Sequence, residues 1–221
     1  MKRFKADDLV LDIPTSWNEV TLHQFYELTK EDAPTDSIYV ISTLASLTPD
    51  QLRKSKAYDL DSVILEHIQF IYDSSPDLQP GAPTSITIDG KTIVIPSSID
   101  KDATLGQMTD IKFVIQKRQS DKEPVNSAVM APVLLTVFLW PYLRNEPYTD
   151  WHEAGELWDT VSKMNCIDGL RLSAFFLRNS LSPSPSGKVS EIPNRPTLSS
   201  VWQRLGFRAS RTSKPTTPQS T

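Results

Sequence analysis

Apolar positions change period several times along the chain, and each change marks an element. Leu9-Val10-Leu11-Asp12-Ile13 reads as a short strand and stops at Pro14, which cannot donate a ladder bond. Ile86-Thr87-Ile88 and Thr92-Ile93-Val94-Ile95 flank Asp89-Gly90, and Asp-Gly between alternating apolar residues is the strongest short-range hairpin signal. That unit stops at Pro96. Elsewhere the period becomes helical. Ile38, Val40, Ile41, Leu44 and Leu47 fit one helix, and Thr48-Pro49-Asp50 is a cap followed by proline at the first helical position. Val63, Ile64, Ile68 and Ile71 form the apolar side of another helix, ending near Asp73-Ser74-Ser75-Pro76. Ile111, Phe113, Val114 and Ile115 predict a helix that ends at Lys117-Arg118. Val129 to Trp140 is apolar all round, which predicts a central buried helix. Thr149-Asp150 caps a helix from Trp151 to Met164, and Asp168 opens a last helix through Phe175 and Phe176.

Two stretches of this pattern repeat. Ile13-Pro14-Thr15-Ser16-Trp17 aligns with Ile95-Pro96-Ser97-Ser98-Ile99, and after a one-residue insertion Thr21-Leu22-x-Gln24 aligns with Thr104-Leu105-x-Gln107. The mechanics repeat too: a strand stops at a proline, and a threonine then caps a helix. The expected fold is α+β and mainly α, built as two similar halves. Each half is a short strand or hairpin, a Pro loop and a Thr-capped helix, followed by packed helices. The halves span residues 1–75 and 84–180, joined by a proline-rich linker from Ser74 to Pro83, and residues 181–221 form an extended C-terminal arm.

Composition sharpens the last boundary. The 221 residues carry a net charge of −4, yet Ser180 to Thr221 alone holds +5 and the rest −9. This tail contains six of the 17 prolines and is dense in Ser and Thr, so it buries too little apolar surface to offset its ordering entropy. One short exception falls at helical spacing. Leu198, Val201, Trp202 and Leu205 line one side, with Thr197 or Ser199 as cap and Phe207 after Gly206. Such a helix is too short to stand alone and needs a surface to dock on. Leu198, Val201, Trp202, Arg204, Leu205, Phe207 and Arg208 are therefore the candidate partner-binding residues, Trp, Leu, Phe and Arg being the side chains that carry most energy in such contacts.

Candidate chemistry adds little. Gly90-Lys91-Thr92 resembles the end of a phosphate-binding loop, but that motif needs Gly where Ser85 stands, and both flanks are strands. His152-Glu153-Ala154-Gly155-Glu156 brushes the helical zinc-protease pattern with its second His replaced by Glu156. Cys166 and His152 suggest a nucleophile pair, although a lone Cys beside an apolar helix reads as buried packing. His23, on the capped first helix, and His67 read as surface or satisfied partners, and Asp59 and Asp61 as solvated loop charges. The expectation is a protein with no active site, no metal and no cofactor. With a single Cys it fits a reducing compartment. No apolar signal-peptide core follows Met1, and the run from Val129 to Leu143, broken by Pro132 and Pro141, falls short of the roughly 20 residues of a membrane span. The basic tail, with Trp202 and Phe207 interleaved, also suits a phosphate backbone. Its cations are spaced singly, however, and the acidic body repels a duplex, so a protein-docking arm is the preferred reading.

The order Ile13-Pro14-Thr15-Ser16-Trp17-Asn18-Glu19-Val20-Thr21-Leu22-x-Gln24-Phe25 resembles the opening of a family of small tailed-bacteriophage virion or tail-assembly proteins, of crAss-like or other Bacteroides-phage type. Thr104-Leu105-Gly106-Gln107, Asp110-Ile111-Lys112, the Pro141-Tyr142-Leu143 break, Tyr148 and Phe175-Phe176 resemble later parts of the same family. The likeness covers roughly residues 8 to 180 and not the tail. It implies a non-enzymatic virion component or assembly factor, found in the virion and in the host cytoplasm during assembly. Its implied partners are portal, tail or ring proteins or further copies of itself in a symmetric ring. The alternatives are a cargo protein packaged in the particle, or a nucleic-acid-binding accessory protein acting through the tail.

Overall fold

A computed structural model describes residues 1–6, 9–30, 32–55, 61–79, 81–99 and 103–181. It is mainly α with two small antiparallel sheets, an α+β fold. The first half opens with strands β1 (Lys2–Ala6) and β2 (Leu9–Ile13), in a register that sets Phe4 opposite Leu11 and Arg3 opposite Asp12. Phe4, Leu11 and Ile13 point into the core. On the outer face the Arg3 guanidinium grips Asp12 through two bonds of 2.7 and 2.9 Å, which pins the register. Strand β1 is a finding beyond the sequence reading. One Phe among Lys2, Arg3 and Lys5 gives too little alternation to register, and pairing with β2 supplies the rest.

Pro14 then leads through a 3-10 turn (Trp17–Glu19) to α1 (Leu22–Thr29), α2 (Ser37–Leu44), α3 (Pro49–Lys54), α4 (Asp61–His67) and α5 (Phe70–Asp73). The second half repeats the plan. β3 (Ser85–Ile88) and β4 (Lys91–Val94) form a hairpin, followed by α6 (Leu105–Ser120), α7 (Ser127–Arg144), α8 (Trp151–Gly155), α9 (Trp158–Val161) and α10 (Cys166–Leu181). Asp89 and Gly90 at the β3–β4 turn take φ of +48° and +77°, as a two-residue hairpin turn of matching twist requires.

Several helix ends differ from the periodicity, each for a visible reason. The helix expected to include Leu47 stops at Leu44 because Ser46 turns left-handed (φ +56°), so that Leu47 N–H donates back to the Ser42 carbonyl at 2.8 Å. The same device at Lys122 (φ +59°), with Glu123 N–H donating to the Arg118 carbonyl, carries α6 past Lys117-Arg118 to Ser120. The apolar side from Ile64 to Ile71 belongs to two helices, with Ile71 N–H bonding the Ile68 carbonyl in a tightened turn, and Val63, expected on that side, faces outward instead. The stretch from Trp151 to Met164 is likewise two short helices, separated after Gly155 by tight i→i+3 bonds at Glu156 and Leu157. The last helix begins two residues before Asp168, because Asn165 caps it by accepting from the Ile167 and Asp168 N–H groups.

Both halves feed one buried cluster centred on α7, where Met130, Leu134, Leu135, Val137 and Leu139 lose all contact with solvent. α7 is long and apolar enough for a membrane span on length and composition alone, yet half of it is buried within the fold, as the core helix of a globular body also is. α10 lies against it, with Phe176 stacked on Phe138 at a centroid distance of 4.4 Å. α10 also packs on α1, so it is the element that closes the second half over the first.

Candidate functional site

The seven residues singled out in the tail, Leu198, Val201, Trp202, Arg204, Leu205, Phe207 and Arg208, lie outside the described residues, as does Asp59. The described body brings together a different set, the two Thr-x-x-Gln junctions. At each one the threonine caps its helix and the glutamine does two things. Thr21 N–H donates to Gln24 Oε1 at 2.9 Å while Gln24 N–H donates to Thr21 Oγ1 at 3.2 Å. Thr104 and Gln107 repeat these bonds at 2.9 and 3.2 Å. The carboxamide nitrogen then crosses to the next long helix. Gln24 Nε2 donates to the Leu44 carbonyl and Gln107 Nε2 to the Val137 carbonyl, both at 2.7 Å. Both glutamines are buried, at 4% and 1% exposure.

Each carbonyl so reached is one the helix itself leaves open. Leu44 is the last residue of α2, beyond which no backbone N–H of the helix returns. Val137 stands four residues before Pro141, which has no N–H to give. A third Thr-x-x-Gln box, Thr48 with Gln51, caps α3 on the surface. The sequence signal for the pair was the repeated spacing; the reach of the glutamine into a second helix carries no mark in the chain.

The repeat extends one turn further. Six residues after each threonine stands an acid that accepts from a tyrosine hydroxyl: Glu27 from Tyr39 at 3.3 Å, and Asp110 from Tyr148 at 2.6 Å. Burial, together with the neighbouring Asp110 carboxylate, raises the Tyr148 hydroxyl well above the usual phenol range.

The two junctions differ in how they are covered. At α1 the N–H groups of Leu22 and His23 donate to the carbonyls of Met164 and Ser162, each at 2.8 Å, and Cys166 N–H donates back to Val20. The Asn165 amide also donates to the Asn18 carbonyl at 2.6 Å. At α6 the equivalent leucine, Leu105, is 84% exposed, against 1% for Leu22. Phe113, on the same outward side as Leu105, Thr109, Lys112 and Gln116, is 56% exposed.

The remaining chemistry-bearing residues have structural surroundings. Gly90-Lys91-Thr92 is the second residue of the hairpin turn followed by the first two of β4. His152 is exposed and lies against the Trp151 ring, and His67 packs edge-on to Phe4 and meets Lys2 Nζ. Cys166 is buried, its thiol donating to the Trp17 carbonyl at 3.4 Å, and burial pushes its pKa up to about 12. Among the described residues no three His, Cys, Asp or Glu side chains converge on one point, and every buried side-chain nitrogen and oxygen has a partner. No protein-family model matches this sequence, and no curated protein or solved structure matches it.

Proposed function

We propose that the protein is a non-enzymatic bacteriophage virion component or tail-assembly factor that works by protein–protein contact. Its C-terminal arm anchors it to a neighbouring virion protein. The observation that carries this reading is where the residues of the phage-like opening lie. Ile13, Trp17, Val20, Leu22, Gln24 and Phe25 are all buried. Trp17 Nε1 donates to the Ser74 carbonyl at 3.1 Å, and Glu19 accepts from Thr15 N–H at 2.7 Å. The motif thus falls on core positions and on hydrogen bonds that hold the first half together. The motif therefore supports a shared scaffold, and a scaffold motif made of packing and capping groups suits an assembly part better than a reaction centre. In this reading the acidic body packs against copies of itself or a ring neighbour, and Trp202, Leu205 and Phe207 fill a pocket there with Arg204 and Arg208 at its acidic rim.

The test is mass spectrometry of purified, nuclease-treated particles of the phage that encodes the chain, counting copies per portal. A fixed count of about six or twelve is expected for a ring or collar component. A variable count identifies packaged cargo. Absence from particles, with abundance in infected cells, removes the virion role and leaves an assembly chaperone or a nucleic-acid accessory. The last of these predicts binding that weakens steeply with salt. Trp202→Ala with Leu205→Ala is expected to lower incorporation while the body stays folded; unchanged incorporation refutes the anchoring role of the arm.

A further inference from the structure

The two halves are unequally closed, and the difference falls on equivalent atoms. Past the N-terminus of α1 runs the segment Ser162–Asn165, whose carbonyls at Ser162 and Met164 take the His23 and Leu22 N–H groups. Asn165 then caps α10, and the first turns of α10 cover Leu22 so closely that a Cβ on Gly169 would stand 2.8 Å from a Leu22 methyl. At α6 the corresponding N–H groups, those of Leu105 and Gly106, have no acceptor among the described residues. Leu105 there lies open, with Phe113 two turns on. The first half thus shows what covers such a junction: a segment that supplies backbone carbonyls and leads into a capped helix with an apolar side.

One stretch of this chain beyond Leu181 has that pattern in its sequence. Pro193 and Pro196 favour extended backbone from Ile192 to Pro196, Thr197 is a capping residue, and Leu198, Val201, Trp202 and Leu205 share one helical side. We propose that residues 192–207 dock on α6 of the same chain, their apolar side covering Leu105 and Phe113 and their leading carbonyls accepting from Leu105 and Gly106. Charge agrees with the pairing. The tail carries +5 against −9 for the rest of the chain, and beside the site stand Asp110 and Asp150, flanking Tyr148 whose ring packs on Gly106, against one cation, Lys112, on the Leu105–Phe113 side.

Length decides between the chain's own arm and that of a second copy. The ten residues 182–191 that tether the segment, Pro183 and Pro185 among them, span at most about 35 Å extended. A compact body of this size has a radius of gyration of about 16 Å. The site lies within that reach: Phe176, five residues before Leu181, stacks on Phe138, and Gln107, two residues after Leu105, bonds the adjoining Val137 carbonyl. An effective concentration on the order of millimolar therefore outcompetes a second copy at micromolar protein. This goes beyond the anchoring role. The free chain keeps its anchors covered on its own body, and a neighbour gains the arm by exchange for that site.

The test uses the full-length protein at micromolar concentration with a photo-cross-linking p-benzoylphenylalanine in place of Leu105, in an equal mixture of heavy- and light-isotope chains. Cross-links from position 105 to residues 192–207, within single-isotope chains, are expected. Mixed-isotope cross-links, cross-links elsewhere, or none overturn the proposal. A second measurement is hydrogen exchange on the unmodified chain and on Leu105→Asp, a change on an exposed side chain. Faster exchange across residues 198–207 in the variant is expected, and equal rates overturn the proposal. Neither measurement involves particles, so failure here leaves the virion reading to its own count.

Discussion

The carboxamide nitrogen of Gln107 lies 2.7 Å from the carbonyl oxygen of Val137, the carbonyl four residues before Pro141 that an uninterrupted helix bonds from its own backbone. A proline inside a helix costs about 3 kcal/mol or more, partly because one carbonyl loses its donor. Here the donor comes from a helix-capping side chain of another element. Gln24 performs the same service for Leu44, where the carbonyl is open because α2 ends. One spacing, Thr-x-x-Gln, thus closes a helix start and an open helix carbonyl in each half.

The Gln107–Pro141 relationship is measurable as a coupling. Gln107→Ala leaves the buried Val137 carbonyl without a partner and is expected to destabilise the fold by about 1–3 kcal/mol. With Pro141→Ala the backbone regains an N–H for that carbonyl, so Gln107→Ala should cost about 1 kcal/mol less in that background. Urea unfolding of the four chains of the cycle gives the number. Equal costs in both backgrounds would sink the assignment.

The three Thr-x-x-Gln boxes differ only in reach, and that predicts a ranking. Gln24→Ala should resemble Gln107→Ala, at about 1–3 kcal/mol, because each removes the cap and opens a buried carbonyl. Gln51 is exposed and serves its cap alone, so Gln51→Ala should stay within about 0.5–1 kcal/mol. Comparable losses at all three positions, read from unfolding midpoints, would show that capping alone matters.

Tyr148 ties the loop before α8 to α6 by a short bond to a carboxylate. Tyr148→Phe keeps the ring against Gly106 and loses the 2.6 Å bond, so about 1–2 kcal/mol of stability at neutral pH is expected to go with it. Asp110→Asn keeps an acceptor and should cost less. The reverse order in thermal unfolding would assign the contribution to charge elsewhere.

Much of this was legible in the chain. Asp89-Gly90 fixed the second hairpin, the threonine spacing placed α1 and α6, and the apolar run from Val129 to Trp140 located the central helix, because each is a local signal tied to local geometry. What stayed hidden depends on partners distant in sequence. Phe4 becomes a strand residue only opposite Leu11, and Gln107 becomes a carbonyl donor only because Val137 arrives 30 residues later. Helix ends at Ser46 and Lys122 rest on non-glycine residues in left-handed backbone, which glycine would have announced and serine and lysine do not.

Cys166 offers a pH-dependent check on the joint between the halves. Its thiol donates to the Trp17 carbonyl, and burial pushes its pKa from the ordinary 9.0 up to about 12. The folded chain therefore holds a proton that the unfolded chain releases above pH 9.0, and the unfolded state is favoured increasingly as pH rises. Stability linked to this thiol is fully present below about pH 9 and is lost progressively between about 9 and 12. Lysines and tyrosines titrate in the same range, so the comparison has to be with Cys166→Ala, which shares all of them. The wild-type chain should lose stability more steeply than the variant between pH 9 and 11 in urea titrations, and should react with a thiol reagent at pH 8 only as fast as it opens. Parallel stability curves and rapid labelling of the native chain would together mean that the thiol is reached by solvent, and that Trp17 and α10 do not close over it.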